Sequence, residues 1–185
     1  MEPLLFIFLG TILVLGVWVI AQYNGLIALR NHVRESWSGI DTELKRRYDL
    51  IPNLVETVKA YAKHEKETLD TVIRLRNQCA ANHGSVASQV GDEKQLVQAV
   101  GKLIALAEAY PDLKAHENFA KLKTELINTE NRIQAARRFF NGNVRDYRVK
   151  IESFPSNLIA NAFGFKSEDY FDVDPSVREV PKTDF

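Results

Sequence analysis

The pattern of apolar and polar positions changes character twice along this chain. From Pro3 to Ala21 the sequence reads PLLFIFLGTILVLGVWVIA and holds no charged residue. At about 1.5 Å per residue such a run makes a helix of roughly 28 Å, close to the thickness of a bilayer's hydrocarbon core. Backbone amides inside lipid must bond within their own segment, so the run is expected to be helical. Trp18 and Tyr23 fall where interfacial aromatics belong.

From Val33 onward the apolar residues recur at steps of three and four: Val33, Trp37, Ile40, Leu44, Tyr48, Ile51, Val55, Val58 and Ala62. That is the signature of an amphipathic helix. Leu69, Val72, Ile73 and Leu75 carry it towards Cys79. The stretch CAANHGSVASQVGDE, Cys79 to Glu93, is small and polar and reads as a loop that exposes its cysteine. A shorter helix follows, with Leu96, Val97, Val100, Leu103, Ile104 and Ala107 on one stripe. It should stop at Tyr110-Pro111, because a residue before proline is pushed out of helical geometry. Asp112 is the expected N-cap of the last helix. Phe119, Leu122, Leu126, Ile133, Phe140, Val144, Tyr147, Ile151 and Phe154 mark that helix's apolar face up to Pro155. The remaining tail lacks helical periodicity and should be extended, packed in part through Tyr170 and Phe171 and otherwise mobile. The fold class is all-α: an antiparallel helical bundle of long helices with an N-terminal transmembrane helix. The expected divisions are an anchor over 1–24, a bundle over 25–154, and an apolar segment with an acidic tail over 155–185.

Pro52 interrupts the longest stripe. A proline inside a helix deletes one hydrogen bond and crowds the preceding turn, at about 3 kcal/mol or more. At the first turn of a new helix that cost nearly vanishes. Asp49 just ahead of it, and the near-equal lengths of Tyr23–Tyr48 and Pro52–Arg76, favour a hairpin at the proline. The unbroken phase of the stripe argues for a continuous, kinked helix instead. In the hairpin, Lys45-Arg46-Arg47 lies at a turn far from the membrane, and FPSNLIANAFGF, Phe154 to Phe165, returns to the lipid surface. There Leu158, Ile159, Phe163 and Phe165 are interface candidates beside Trp18 and Tyr23. The same residues could simply close the end of the bundle. A continuous helix would place the segment far from the membrane.

Charge then fixes sidedness. The chain of 185 residues balances 24 bases against 24 acids, so no global field attracts nucleic acid. No Lys or Arg precedes the apolar run, whereas Arg30, Arg34 and Lys45-Arg46-Arg47 follow it. The positive-inside rule therefore puts the N-terminus outside and the bundle in the cytoplasm. Val19-Ile20-Ala21 could imitate a signal-peptidase site. The n-region is acidic rather than basic and the apolar run is long, which favours an uncleaved anchor. A single cysteine rules out an internal disulfide and a cysteine-rich metal site.

Catalytic motifs are missing: there is no P-loop, no G-x-G-x-x-G and no G-x-S-x-G. His64-Glu65 and His116-Glu117 begin like a zinc-protease helix, but Thr68 and Ala120 stand where the second histidine would be needed. No cofactor is expected. Polar residues inside the apolar stripes are more informative. Glu130 and Arg137 interrupt the stripe of the last helix, and Arg46, Arg47, Asp49, Asn53 and Glu56 surround Pro52. Buried charges must be paired, so these residues form a candidate structural network. A metal held by Glu130, Asp49 and Glu56 is the sharper alternative; the Glu-x-x-His pattern of helical carboxylate sites is absent. ARRFFNGNVRDYRVK is basic and aromatic, but Phe140, Val144 and Tyr147 lie in the core phase and not on a stacking surface.

Three segments carry a family resemblance: YNGLIALRNHVRESWSGIDTELKRRYDLIPNLVETVKAYAKHE, AYPDLKAHENFAKLKTELINTENRIQAARRFFNGNVRDY and IESFPSNLIANAFGF. The sequence resembles the LemA family of bacterial membrane proteins, over essentially its whole length. Phe140 stands before Asn141 where the family pattern leads one to expect Tyr. The resemblance implies a single-pass anchor in the bacterial inner membrane, a helical-bundle domain and no catalytic residues. It also implies links to membrane remodelling and to membrane-protein quality control. It adds Pro52 and Asn141 to the residues expected to matter structurally. The expected function is a non-enzymatic, membrane-anchored scaffold or adaptor working through an unknown protein partner or a second copy. A lipid-surface sensor or membrane-shaping protein is the alternative, and an enzyme with an unfamiliar site is a third.

Overall fold

The computed structural model describes residues 2–171. Among them the elements are all helices: α1 (Glu2–Lys59), α2 (Lys66–Ala81), α3 (Val86–Glu108), α4 (Pro111–Lys114), α5 (Glu117–Glu152) and α6 (Ser156–Ala162). The chain divides into two compact units. Among the described residues, the first joins 2–37 to 139–168, and the second joins 38–138 to 169–171.

In the first unit, α1 begins as a bare apolar rod. Its most apolar window has a mean hydropathy of 2.8 with none of it buried, and α1 is the one candidate membrane span among the described residues. Beyond it the buried positions are Leu26, Val33 and Ser36. α5 runs antiparallel beside this stretch, with Trp37 edge-on to Phe140 at 5.4 Å and the Asn143 amide donating to the His32 carbonyl at 3.3 Å. Val144 and Tyr147 are fully enclosed. The corner into α6 is closed by Ser156, whose hydroxyl bonds the Lys150 and Ser153 carbonyls at 2.6 and 2.9 Å; the Phe154–Pro155 peptide there is cis. α6 ends in a paired-carbonyl cap. Gly164 adopts φ +69°, its amide bonds the Asn161 carbonyl, and the Phe165 amide bonds the Ala160 carbonyl at 2.9 Å. The left-handed position is one that only glycine fills without strain.

The second unit holds the main core. Ile51, Leu54, Val55 and Val58 of α1 pack with Leu69, Val72, Leu75 and Cys79 of α2, and with Leu96, Val100 and Leu103 of α3. Leu113, Phe119 and Leu126 complete the cluster. In this unit the stripes read from the sequence are thus the buried or half-buried faces, except for Val97, which is exposed.

The hairpin at Pro52 does not form. α1 passes through the proline and ends at Lys59. Proline cannot donate to the carbonyl four residues earlier, which is that of Tyr48. Arg76 of α2 supplies the missing donor, its Nε bonding the Tyr48 carbonyl at 3.0 Å, while its other arm lies 3.9 Å from Asp49. A charged donor on the neighbouring helix therefore supplies the hydrogen bond that the proline cannot make. The turn comes later, where Ala60 and Ala62 still bond back to Glu56 and Val58.

Two further expectations change. The loop after α2 spans only 82–85, so Cys79 sits inside α2 and is buried. Asn82 fastens this short loop by accepting from the Gly84 amide and donating to Asp92 and Ser88, and Ser85 caps α3 by accepting from the Ser88 amide. Burial, reinforced by the Asp92 charge and opposed by Arg47, pushes the Cys79 thiol up to about 11. A maleimide at pH 8 should therefore leave Cys79 unmodified in the folded protein and modify it fully in guanidinium, read by intact mass. Rapid labelling of the folded protein would show that α2 and α3 part readily. Asp112, in turn, lies within the first turn of α4 behind Pro111, so it does not cap the long helix, and α5 starts at Glu117. Tyr110-Pro111 does end α3 as expected. In the tail, Phe171 is buried and Tyr170 half-buried; the part expected to be mobile lies mostly outside the described residues.

Candidate functional site

The second unit buries an ionic cluster. Arg47 is only 4% exposed, because it lies on the same face of α1 as Leu44, Ile51 and Leu54. Its Nη1 donates to Glu130 Oε2 of α5 at 2.7 Å, and its Nη2 donates to Glu93 Oε2 of α3. The second oxygen of each carboxylate is also occupied: Tyr48 donates its hydroxyl to Glu93 Oε1, and Gln134 donates to Glu130 Oε1 at 3.0 Å. One guanidinium thus ties three helices, and both carboxylates are satisfied at both oxygens. Burial raises the Tyr48 hydroxyl well above its ordinary value, with Arg47 opposing. Tyr48 therefore stays protonated and keeps donating at any physiological pH.

The cluster forms one wall of a cleft of about 300 Å³ lined also by Leu44, Val97, Ile133, Arg137 and Phe171. Arg137 lays its guanidinium over the Phe171 ring at 4.6 Å, a cation–π contact that fastens the start of the tail to α5.

Of the polar residues singled out in the sequence, Arg47 and Glu130 meet directly and Arg137 lines the same cleft. Arg46 instead pairs along the helix surface with Glu43 at 3.5 Å. Asp49, Asn53 and Glu56 are exposed, and Asn141 is half-buried in the first unit. The alternative carboxylate metal site is therefore not assembled, since Asp49 and Glu56 face solvent while Glu130 holds Arg47. Sequence reasoning missed Glu93 and the tyrosine hydroxyl. Glu93 was legible: it continues the α3 stripe Leu96, Val100, Leu103, Ala107 one step backward. Assigning residues 79–93 to a loop hid it.

The interface candidates gather in the first unit. Tyr23 meets Phe163 tilted at 4.9 Å and Phe165 edge-on at 5.7 Å, and Arg30 sits over the Phe165 ring at 5.2 Å. Phe163 and Leu158 are exposed, Phe165, Trp18 and Tyr23 half-buried, and Ile159 buried. Ile159 thus packs inward and is corrected from the interface set. The expectation that a continuous α1 would carry this segment away from the apolar span also fails, because α5 returns beside α1 and delivers α6 to Tyr23.

The fold and these two clusters define an all-α bundle carrying one candidate membrane-spanning helix. The chain belongs to the LemA family, whose match extends over residues 36–185. It is similar to the magnetosome protein MamQ of Magnetospirillum gryphiswaldense, with 24% identity across 85% of this chain and 67% of that protein. It is likewise similar to Protein LemA of Metamycoplasma hominis, with 27% identity across 84% of this chain and 72% of that protein.

Proposed function

We propose that this protein is a membrane-anchored, non-enzymatic scaffold or adaptor. The observation that carries the reading is the closed state of the cluster's two carboxylates: the Arg47 Nη groups, the Tyr48 hydroxyl and the Gln134 amide fill all four oxygens of Glu93 and Glu130, while Arg47 Nε is buried without a hydrogen-bond partner. A general acid or base needs a titratable group within hydrogen-bond reach of a reactant, and here each carboxylate oxygen already has a donor. Such a cluster fixes the register of α1, α3 and α5 and leaves the outer faces for partners. Residues 3–21 anchor the bundle in the inner membrane, and the positive-inside rule places it in the cytoplasm. Phe139 and Val149 on α5, 66% and 56% exposed, and Val97 and Ile127 in the other unit, 43% and 50% exposed, are among the apolar side chains available to a partner or a second copy.

The test is lysine crosslinking in intact cells, followed by gentle solubilisation and mass spectrometry of the linked species. A defined partner or homo-oligomer is expected with a membrane-permeant reagent and not with its impermeant analogue. A chain that stays uncrosslinked, monomeric and alone would overturn the scaffold reading. Equal linking by the impermeant reagent would reverse the sidedness.

A further inference from the structure

The segment 154–165 contains no charged residue, in a chain where 26% are charged. α6 within it is split by burial. Ser156, Ile159 and Ala160 face inward, while Phe154, Leu158 and Phe163 are 80%, 57% and 57% exposed. A helix that buries one apolar face and leaves a second open needs an apolar medium on the open side. Two observations say which medium. Phe163 and Phe165 pack their rings against Tyr23, tilted and edge-on, and Tyr23 stands two residues past the uncharged run's Ala21. In addition, a groove of about 350 Å³ beside Phe154 is lined by Trp18, Gln22, Leu29 and Val149. Trp18 lies inside the apolar run itself, so the groove opens at the level where the span meets headgroups. Arg30 over Phe165 and the exposed Lys166 offer positive charge to anionic headgroups, beside the exposed acids Glu152, Glu168 and Asp169.

We propose that α6 and its flanks form a foot embedded in the interfacial layer of the same bilayer that α1 crosses, with Phe154, Leu158 and Phe163 inserted among the lipids. This rests on residues 3–21 spanning a membrane, and it is independent of the scaffold reading. The foot makes the first unit a two-point attachment: one helix crosses the membrane and a second lies on its surface.

Nitroxide labels on the full chain test it, in nanodiscs of phosphatidylcholine with phosphatidylglycerol. With Cys79 replaced by Ser, labels are placed singly by V14C, L158C and A87C, the last at an exposed position in the second unit. Each variant is checked for native helicity. The expected result is oxygen accessibility at 158 that rises with that at 14, and accessibility to a water-soluble nickel chelate several-fold below that at 87. A label at 158 as open to the chelate as the one at 87, while 14 remains in lipid, would overturn the foot and leave the anchor standing. Chelate access at 14 would overturn both. Spin–spin broadening at 158 would show that a second copy covers the face and would overturn the lipid assignment. If L158C fails to fold, F154C gives the same readout.

Discussion

Arg47→Ala should lower stability by about 3–5 kcal/mol, the cost of leaving buried charge without its partner. The substitution strands Glu93, whose side chain is only 9% exposed, and half-strands Glu130, at 35%. The two acids then face each other across the space the guanidinium filled. Removing the charges together is a different matter. Arg47→Leu combined with Glu93→Leu and Glu130→Gln should recover most of the loss, because desolvating an ion pair consumes much of what its attraction returns. Thermal unfolding of the detergent-solubilised chain, followed by circular dichroism, is the measurement. An R47A protein that melts with the parent would show that the cluster contributes nothing to stability. A triple variant no better than R47A would show that the charges themselves, and not merely their balance, hold the three helices.

The second expectation concerns Pro52. Arg76→Ala leaves the Tyr48 carbonyl without its donor, which should cost about 1–3 kcal/mol at this half-buried position. Pro52→Ala restores the amide that a normal helix would offer that carbonyl. In the P52A background the loss on removing Arg76 should therefore fall by about 1 kcal/mol or more, a coupling that denaturant titration of the four proteins in a double-mutant cycle resolves. Strict additivity would mean that Arg76 and the proline gap are unrelated, and that its pairing near Asp49 is what matters.

These two sites also show what a sequence can and cannot convey. The helices were legible because steps of three and four hold from Val33 to Ala62 and from Phe119 to Phe154. Burial follows them nearly residue by residue, with Phe154 the exception. The continuity of α1 through Pro52 was hinted at by the unbroken phase. The deciding contact, however, comes from Arg76, and no local propensity reports a donor on another helix. Arg47 was legible as a candidate for a polar network around Pro52; that α3 and α5 would each bring it a carboxylate was not. Glu93 was concealed by its small, polar neighbours, which resemble a loop until Asn82 and Ser85 are seen fastening the chain into a four-residue turn. Ile159 and Leu158 are adjacent and equally apolar. Only the packing of α6 against α1 and α5 separates the inward residue from the outward one.

Because α1 is at once the candidate anchor and a wall of both packed units, it leaves the ribosome before any of its partners exist. At roughly 5–20 residues per second, the stretch from the end of α1 to the middle of α5 takes about 4–15 seconds to synthesise. For that time Val33, Ile40, Ile51 and Val58 hang from the helix that carries the candidate membrane span, with their apolar stripe uncovered. If residues 3–21 span a membrane, biogenesis of this protein should depend on something that shelters a tethered nascent helix: a holding chaperone or the insertion machinery itself. Cells that lack such protection should accumulate proteolysed chains cut within α1.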